Sequence, residues 1–302
     1  MYRGRFAPSP TGPLHLGSLV AAVASYADAL KQAGEWFVRI DNIDPPREDP
    51  DATRLILASL DAHGFFIRDN GANNIGQRSV EWSPQSTSVV MQGDRDDHYH
   101  SAIDKLTNDG FVFACECTRK SLASSERYPG TCEQANLSPA TNALRVKLPD
   151  GRFEFDDGIY GKVSEHVASR LGAMVIRRRD GLWAYQLANV VDDANDSVSD
   201  IVRGVDLLDN TPRQLAMYRC LGQAAPRYCH IPVLCDSNGN KLSKQTNASA
   251  LEDARAMQNL QQVWRFLGQS DLTTDSISEF WQQAATLWDR KRVAKQISVA
   301  KL

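Results

Sequence analysis

Residues 3–18 read Arg3-Gly4-Arg5-Phe6-Ala7-Pro8-Ser9-Pro10-Thr11-Gly12-Pro13-Leu14-His15-Leu16-Gly17-Ser18. A strand is predicted over 3–7. Three prolines and a glycine within 8–13 then forbid helix or central strand. Behind this turn, Leu16, Leu19, Val20, Val23, Ala27 and Leu30 recur at helical spacing on one face, and Gly34 is read as the stop. A second strand is predicted over 36–40. Strand, tight loop, helix and strand make a βαβ unit, which predicts an α/β fold on a parallel sheet with helices on both faces. The same turn is a candidate anion site. Free N–H groups at a helix N-terminus point at the ligand, and the helix dipole favours negative charge. His15 at that junction can donate to a phosphoryl oxygen, and Gly17 lets a nucleotide approach the backbone closely. From these residues alone, a turn with a surface histidine reads equally well.

Further helices are predicted over 51–63 and about 86–108. Short strand-like runs at 111–115, 143–148 and 174–179 then alternate with polar turns, as in an inserted α+β region. Helical pattern returns at 185–194 and after Thr211. A strand over 228–234 leads into a polar loop at 236–247, and the remainder reads as helices only. The predicted division is 1–100 with 185–245 as the two halves of one domain, 101–184 as the insert, and 246–302 as a helical C-terminal region.

Lys and Arg total 34 against 37 Asp and Glu, a net charge of −3, which argues against a histone-like nucleic-acid coat but leaves room for a local basic groove. No run approaches the roughly 20 apolar residues of a membrane span. The N-terminus lacks the apolar region of a signal peptide. A cytoplasmic protein with no membrane partner is expected. Six cysteines in such a chain point to reduced thiols or a metal site rather than disulfides. Cys115, Cys117 and Cys132 have a spacing that can converge on one tetrahedral Zn²⁺, with a fourth ligand missing. Three unrelated buried cysteines are the alternative. Cys220, Cys229 and Cys235 read as core residues. Two basic clusters are candidates for a nucleic-acid face: Arg177, Arg178 and Arg179, and Arg290, Lys291, Arg292 and Lys295. Strand alternation sets Arg178 opposite its neighbours, and solvated charge is the simpler reading of both.

A second polar loop, Asn240-Lys241-Leu242-Ser243-Lys244-Gln245, carries two lysines flanking a serine, able to neutralise a triphosphate. Taken in order, five segments resemble the class I glutamyl-tRNA synthetases. Residues 5–18 resemble their HIGH region and 241–245 their KMSKS loop. Arg39-Ile40-Asp41-Asn42-Ile43-Asp44-Pro45-Pro46-Arg47, the run from Trp183 to Asp193, and Ile201-Val202-Arg203-Gly204-Val205-Asp206 resemble active-site segments. The resemblance covers about residues 3–250. The 57 residues after Gln245 are too few for a helical anticodon-reading domain. The chain is therefore expected to resemble the truncated paralogous family, the glutamyl-Q tRNA(Asp) synthetases.

That resemblance implies a Rossmann-type catalytic domain with a zinc-containing insert, a short helical C-terminal region and no anticodon-binding domain. It implies ATP-dependent activation of L-glutamate as the adenylate, without tRNA. Transfer follows to the cyclopentenediol of queuosine in the anticodon of tRNA(Asp). Arg5 and Arg203 match glutamate-binding arginines, which grip carboxylates through paired charge-assisted hydrogen bonds. Phe6, Ala7 and Pro8 share that binding stretch. Ser9 and Tyr185 match hydroxyl contacts, and Asp41 matches the α-ammonium partner. His15, Gly17, Lys241, Ser243 and Lys244 match ATP-binding positions, His15 and Lys244 with catalytic roles. Mg²⁺ is expected with ATP. One structural Zn²⁺ is expected on Cys115, Cys117, Cys132 and the Tyr128 oxygen. A monomer is expected.

One departure stands out. Asp41 occupies a glutamate position of the family, which retracts the carboxylate by roughly 1.5 Å, and Asn42 a usual aspartate; Asp44 is a candidate substitute. Three other readings stay open: a glutamyl-tRNA synthetase acting on tRNA(Glu), a catalytically silent tRNA-binding paralogue, and a nucleotidyltransferase sharing only the phosphate loop.

Overall fold

The structure, a computed structural model, describes residues 1–65, 89–125, 127–235, 249–296 and the backbone of 298–300. The first strand, β1 (Arg3–Phe6), runs into the proline turn, and α1 (Leu16–Lys31) follows. His15 caps that helix, its Nδ1 accepting the Ser18 N–H at 3.2 Å. Leu19, Val20, Val23 and Ala27 are buried, as their spacing requires. Gly34 serves a different purpose from a helix stop. The positive φ falls on Ala33 (46°), whereas a Cβ at Gly34 would lie 2.6 Å from Cβ of Tyr2. The close approach selects glycine there.

Beyond it, β2 (Glu35–Ile40) pairs in parallel with β1. Next come α2 (Ala52–Ala62) and β3 (Val89–Met91), which joins β2 in parallel. The sequence pattern places a helix from about 86. The β-branched pair Val89-Val90 instead extends the sheet, and α3 (Asp96–Asn108) begins only after a 3₁₀ turn at Gln92–Asp94.

The inserted stretch contains β4 (Val112–Cys115) and β5 (Ala143–Lys147). It continues with a hairpin, β6 (Phe153–Asp157) and β7 (Gly161–Glu165), that pattern reading misses. The short helix α4 (Val167–Leu171) then precedes β8 (Ala173–Arg177). Strands β4, β5 and β8 form an antiparallel sheet in that order. Then α5 (Tyr185–Asn195), β9 (Asp200–Gly204), α6 (Thr211–Leu221) and β10 (Arg227–Ile231) build a second parallel unit. The Ser199 N–H donates to the Arg3 carbonyl at 2.9 Å, which sets this half beside β1.

Pro232, lacking an N–H, divides the single strand expected over 228–234 into β10 and β11 (Val233–Cys235). Two helices follow, α7 (Ala256–Phe266) and α8 (Ile277–Leu287). The C-terminal region is not helical throughout: β12 (Ser298–Ala300) pairs in parallel with β11. Among the described residues no helix is long and apolar enough to cross a membrane.

Two contacts fasten this region to α1. Trp281 packs on Tyr26 and Phe65, with ring centroids 4.7 and 4.9 Å away. Asp28 is 1% exposed and accepts from the Tyr2 hydroxyl at 2.6 Å, Trp288 Nε1 at 2.9 Å and Arg290 Nε at 2.6 Å. A buried carboxylate is tolerated only when paired and hydrogen-bonded in this way. Arg290 is thereby held in the structure rather than offered to a groove. Asp28→Ala should lower stability by about 3 kcal/mol, since it strands three donors, one of them a partly buried cation. Chemical denaturation checks this, and an unchanged midpoint would refute it.

Candidate active site

A cavity of about 510 Å³ opens beyond the carboxyl ends of β1, β9 and β10, against the N-terminus of α1. Open α/β sheets place their ligand crevice there. Arg5, Phe6, Ala7, Pro8, Ser9, His15, Gly17, Asp41, Tyr185 and Arg203 all line it. Residues far apart in sequence therefore meet as expected. Lys241, Ser243 and Lys244 lie outside the described residues. The described flanks of their loop both reach the site: Leu234 lines the cavity, and Ala250 forms an antiparallel bridge with His15.

Tyr185, Asn189 and Asp193 follow at four-residue intervals and so share one face of α5. Tyr185 and Asn189 line the cavity, while Asp193 is buried behind it. Asp193 accepts from Arg5 Nε at 3.1 Å, Arg5 Nη2 at 3.3 Å and Arg39 Nη1 at 2.7 Å. Burial works to raise its pKa, but the two guanidiniums hold it below the ordinary carboxylate value. Arg5 is thus not the open fork expected. Its Nε–Nη2 edge is taken by Asp193, which leaves Nη1 for a ligand.

Asp41 accepts from Arg39 Nε at 2.8 Å and lines the cavity. Burial raises its pKa, with Arg39 and Arg5 opposing. Asp44 pairs with Arg47 and with Arg178 and does not line the cavity, so the substitute role considered for it is not met. Asn42 is structural. Its Oδ1 accepts the Gly93 N–H at 2.7 Å, tying the end of β2 to the turn after β3.

Arg203 donates from Nε to His230 Nε2 at 3.1 Å and from Nη2 to Thr211 Oγ1 at 2.8 Å. Its Nη1 is buried and, among the described residues, has no hydrogen-bond partner. His15 accepts at Nδ1, so a neutral ring carries its proton on Nε2 and donates from there. Pattern reading assigns no role to Arg39, Asn189, Asp193 or His230. The available signal is polar residues on the buried face of α5 and at strand ends.

The basic run 177–179 is occupied locally. Arg177 stands over Trp183, Arg178 pairs with Asp180, and Arg179 donates to the Glu116 carbonyl.

In the insert, the thiol sulfurs of Cys115, Cys117 and Cys132 lie within 4.8 Å of one another. The Cys117–Cys132 separation is 3.6 Å. Two thiolates on one tetrahedral zinc stand about 3.8 Å apart. The Tyr128 oxygen is 3.5 Å from Cys115 Sγ and accepts the Cys132 N–H at 2.9 Å. This donor set fits Zn²⁺. Three thiolates around a dication leave one negative charge, and Arg145 meets it, with Nε 3.2 Å from Cys115 Sγ. Burial disfavours the Cys115 thiolate, yet Tyr128 and Arg145 bring its pKa down overall. The cluster closes a small core with Phe113 and Ala173, where a bound metal would brace the packing. Chelation should lower the melting temperature by about 5 °C or more. An unchanged melt after complete removal of zinc, verified by elemental analysis, would exclude the site.

The model of the tRNA synthetases class I (E and Q) catalytic domain matches residues 1–298. Proteins named glutamyl-Q tRNA(Asp) synthetase from Chromobacterium violaceum and Pseudomonas fluorescens are 43% and 40% identical to this chain. The matches span 97% and 99% of this chain and 95% of each relative. A glutamate tRNA ligase from Elizabethkingia meningosepticum, crystallised with its amino acid, superposes with a TM-score of 0.76 at 21% identity. That match covers 98% of this chain and 66% of the larger protein, about two thirds of its length. At that identity the likeness is one of fold. The full-length match to the curated relatives goes further: the chain belongs to the class I tRNA synthetases (E and Q) and, within them, to the glutamyl-Q tRNA(Asp) synthetase family of ligases.

Proposed function

We propose that this ligase activates L-glutamate with ATP, forms glutamyl-adenylate without tRNA, and transfers the glutamyl group to a queuosine hydroxyl in the anticodon of tRNA(Asp). The charge layout of the cavity carries this reading. Arg5, Arg203 and Asp41 line it together, and each is at most 9% exposed. Glutamate brings two carboxylates and one ammonium. The Nη1 groups of Arg5 and Arg203 donate to the carboxylates, Asp41 accepts from the ammonium, and Ser9 and Tyr185 add hydroxyls. Glutamine would set a neutral amide against a guanidinium and bind poorly. Phe6, Ala7 and Pro8 supply the wall of this pocket.

An α-carboxylate oxygen then attacks the α-phosphorus of ATP in line, and the bond to pyrophosphate breaks. His15 Nε2–H and the N-terminus of α1 stabilise the charge that develops there. Gly17 admits the nucleotide to the backbone. Lys241, Ser243 and Lys244 hold the phosphates, Lys244 acting on departing pyrophosphate, and Mg²⁺ accompanies ATP. In the second step a queuosine hydroxyl attacks the adenylate carbonyl and AMP leaves. Residues 1–100 and 185–245 carry this chemistry, 101–184 holds the structural zinc, and 246–302 braces the first half. The enzyme works as a monomer in the cytoplasm, where its tRNA is. The names of the curated relatives support the queuosine acceptor.

Labelled glutamate offered with two tRNA pools tests the acceptor. Label should enter only the pool that contains queuosine. Equal labelling of both pools would make the enzyme an acceptor-end synthetase and overturn this reading.

A further inference from the structure

We infer that Asp157, His230 and Thr211 form a positioning relay that presets Arg203 for its substrate carboxylate. The inference rests on the proposal that Arg203 binds glutamate. None of the three lines the cavity, and all are at most 5% exposed.

The relay starts at the end of β6. Asp157 Oδ1 accepts the N–H groups of Ile159 at 3.0 Å and Tyr160 at 2.9 Å. Its Oδ2 faces the backbone N–H of His230 at 3.0 Å and the ring Nδ1 at 2.6 Å. With that many donors around it, the carboxyl is held ionised and only accepts, so Nδ1 carries the ring proton. On the other side Arg203 can only donate, so His230 Nε2 is bare. Both partners thus select one neutral tautomer. An imidazolium would set N–H against N–H and place a cation beside a guanidinium. Burial, together with Arg203, accordingly pulls the His230 pKa below the ordinary value.

Arg203 is then restrained three ways. His230 takes Nε, Thr211 Oγ1 takes Nη2, and the Tyr228 ring lies 5.1 Å from the guanidinium carbon. The Tyr228 and His230 rings are themselves parallel, at 9° and 6.0 Å. What remains is Nη1, the corner without a protein partner among the described residues. An arginine fixed before binding loses less side-chain freedom when the substrate arrives. The β6–β7 hairpin, part of the inserted stretch, therefore fixes the His230 tautomer from outside the cavity.

Two substitutions of His230 separate positioning from folding. His230→Asn keeps a donor toward Asp157 but removes the acceptor for Arg203. His230→Gln keeps an acceptor within reach of Arg203 but gives up the Asp157 bond. Both are compared by ATP–pyrophosphate exchange and thermal melting. His230→Asn should raise the KM for glutamate about tenfold or more, with the KM for ATP and kcat within about threefold. His230→Gln should recover most of the glutamate affinity although its melting temperature falls at least as far. Glutamate KM that tracks melting temperature across the two variants, or stays unchanged in His230→Asn, overturns the relay. Arg203→Ala keeps the two claims apart. If it leaves the glutamate KM unchanged, the glutamate reading of the cavity fails. If it raises that KM and His230→Asn does not, the relay alone fails.

Discussion

Asp193 on α5 has no solvent-exposed side chain and accepts hydrogen bonds from Arg5 on β1 and Arg39 on β2 at once. Placing a carboxylate there costs several kcal/mol of desolvation, which only well-placed counter-charges offset. The arrangement therefore constrains three elements together: both strand ends and the helix must sit where the charges meet. The network extends through Asp192, which accepts from Gln92, Tyr99 and Arg95, and through the Arg95–Asp196 pair. Arg5, Arg39 and Arg95 face Asp41, Asp192, Asp193 and Asp196, so negative charge is in excess by one. Of those carboxylates only Asp41 lines the cavity. Under the proposed function, an ammonium arriving at Asp41 would complete this local balance.

Most of the site is legible in the sequence because its parts sit in short segments whose residue types name their chemistry. The proline turn, His15 and Gly17 leave an anion-binding helix start and a turn with a surface histidine equally open from backbone rules alone. Arg5, Asp41, Tyr185 and Arg203 come through resemblance, and the structure gathers them into one cavity. What escapes are the partners of those residues. Asp193 lies inside a segment that carries the resemblance, but its contact with Arg5 spans 188 positions. His230 goes unassigned because its two partners, Asp157 and Arg203, come from different strands. Local pattern carries no record of such tertiary pairings.

The misread elements share a similar cause. Val89–Met91 lies beside a helix of strong periodicity, and the sheet edge it joins is set by β2, which only the fold reveals. Strand β6 alternates aromatic with acidic residues over Phe153–Asp156, a weak strand signal that gains its meaning from Asp157 beneath His230. Asn42 reads as a defect in the ammonium site and is instead a tie between β2 and the turn after β3. The buried cysteines outside the Cys115, Cys117 and Cys132 cluster are core residues, as their spacing suggests, with Cys229 and Cys235 at 1% and 3% exposure.

The most direct test is a crystal structure with a non-hydrolysable glutamyl-adenylate analogue. A glutamate carboxylate oxygen should lie within about 3.2 Å of Arg203 Nη1, with the α-ammonium on Asp41 and Asp193 still bridging Arg5 and Arg39. A glutamyl group seated away from Arg203, or an Arg5 that leaves Asp193 to grip it, would contradict the view that buried charge pairs build this pocket before the substrate arrives.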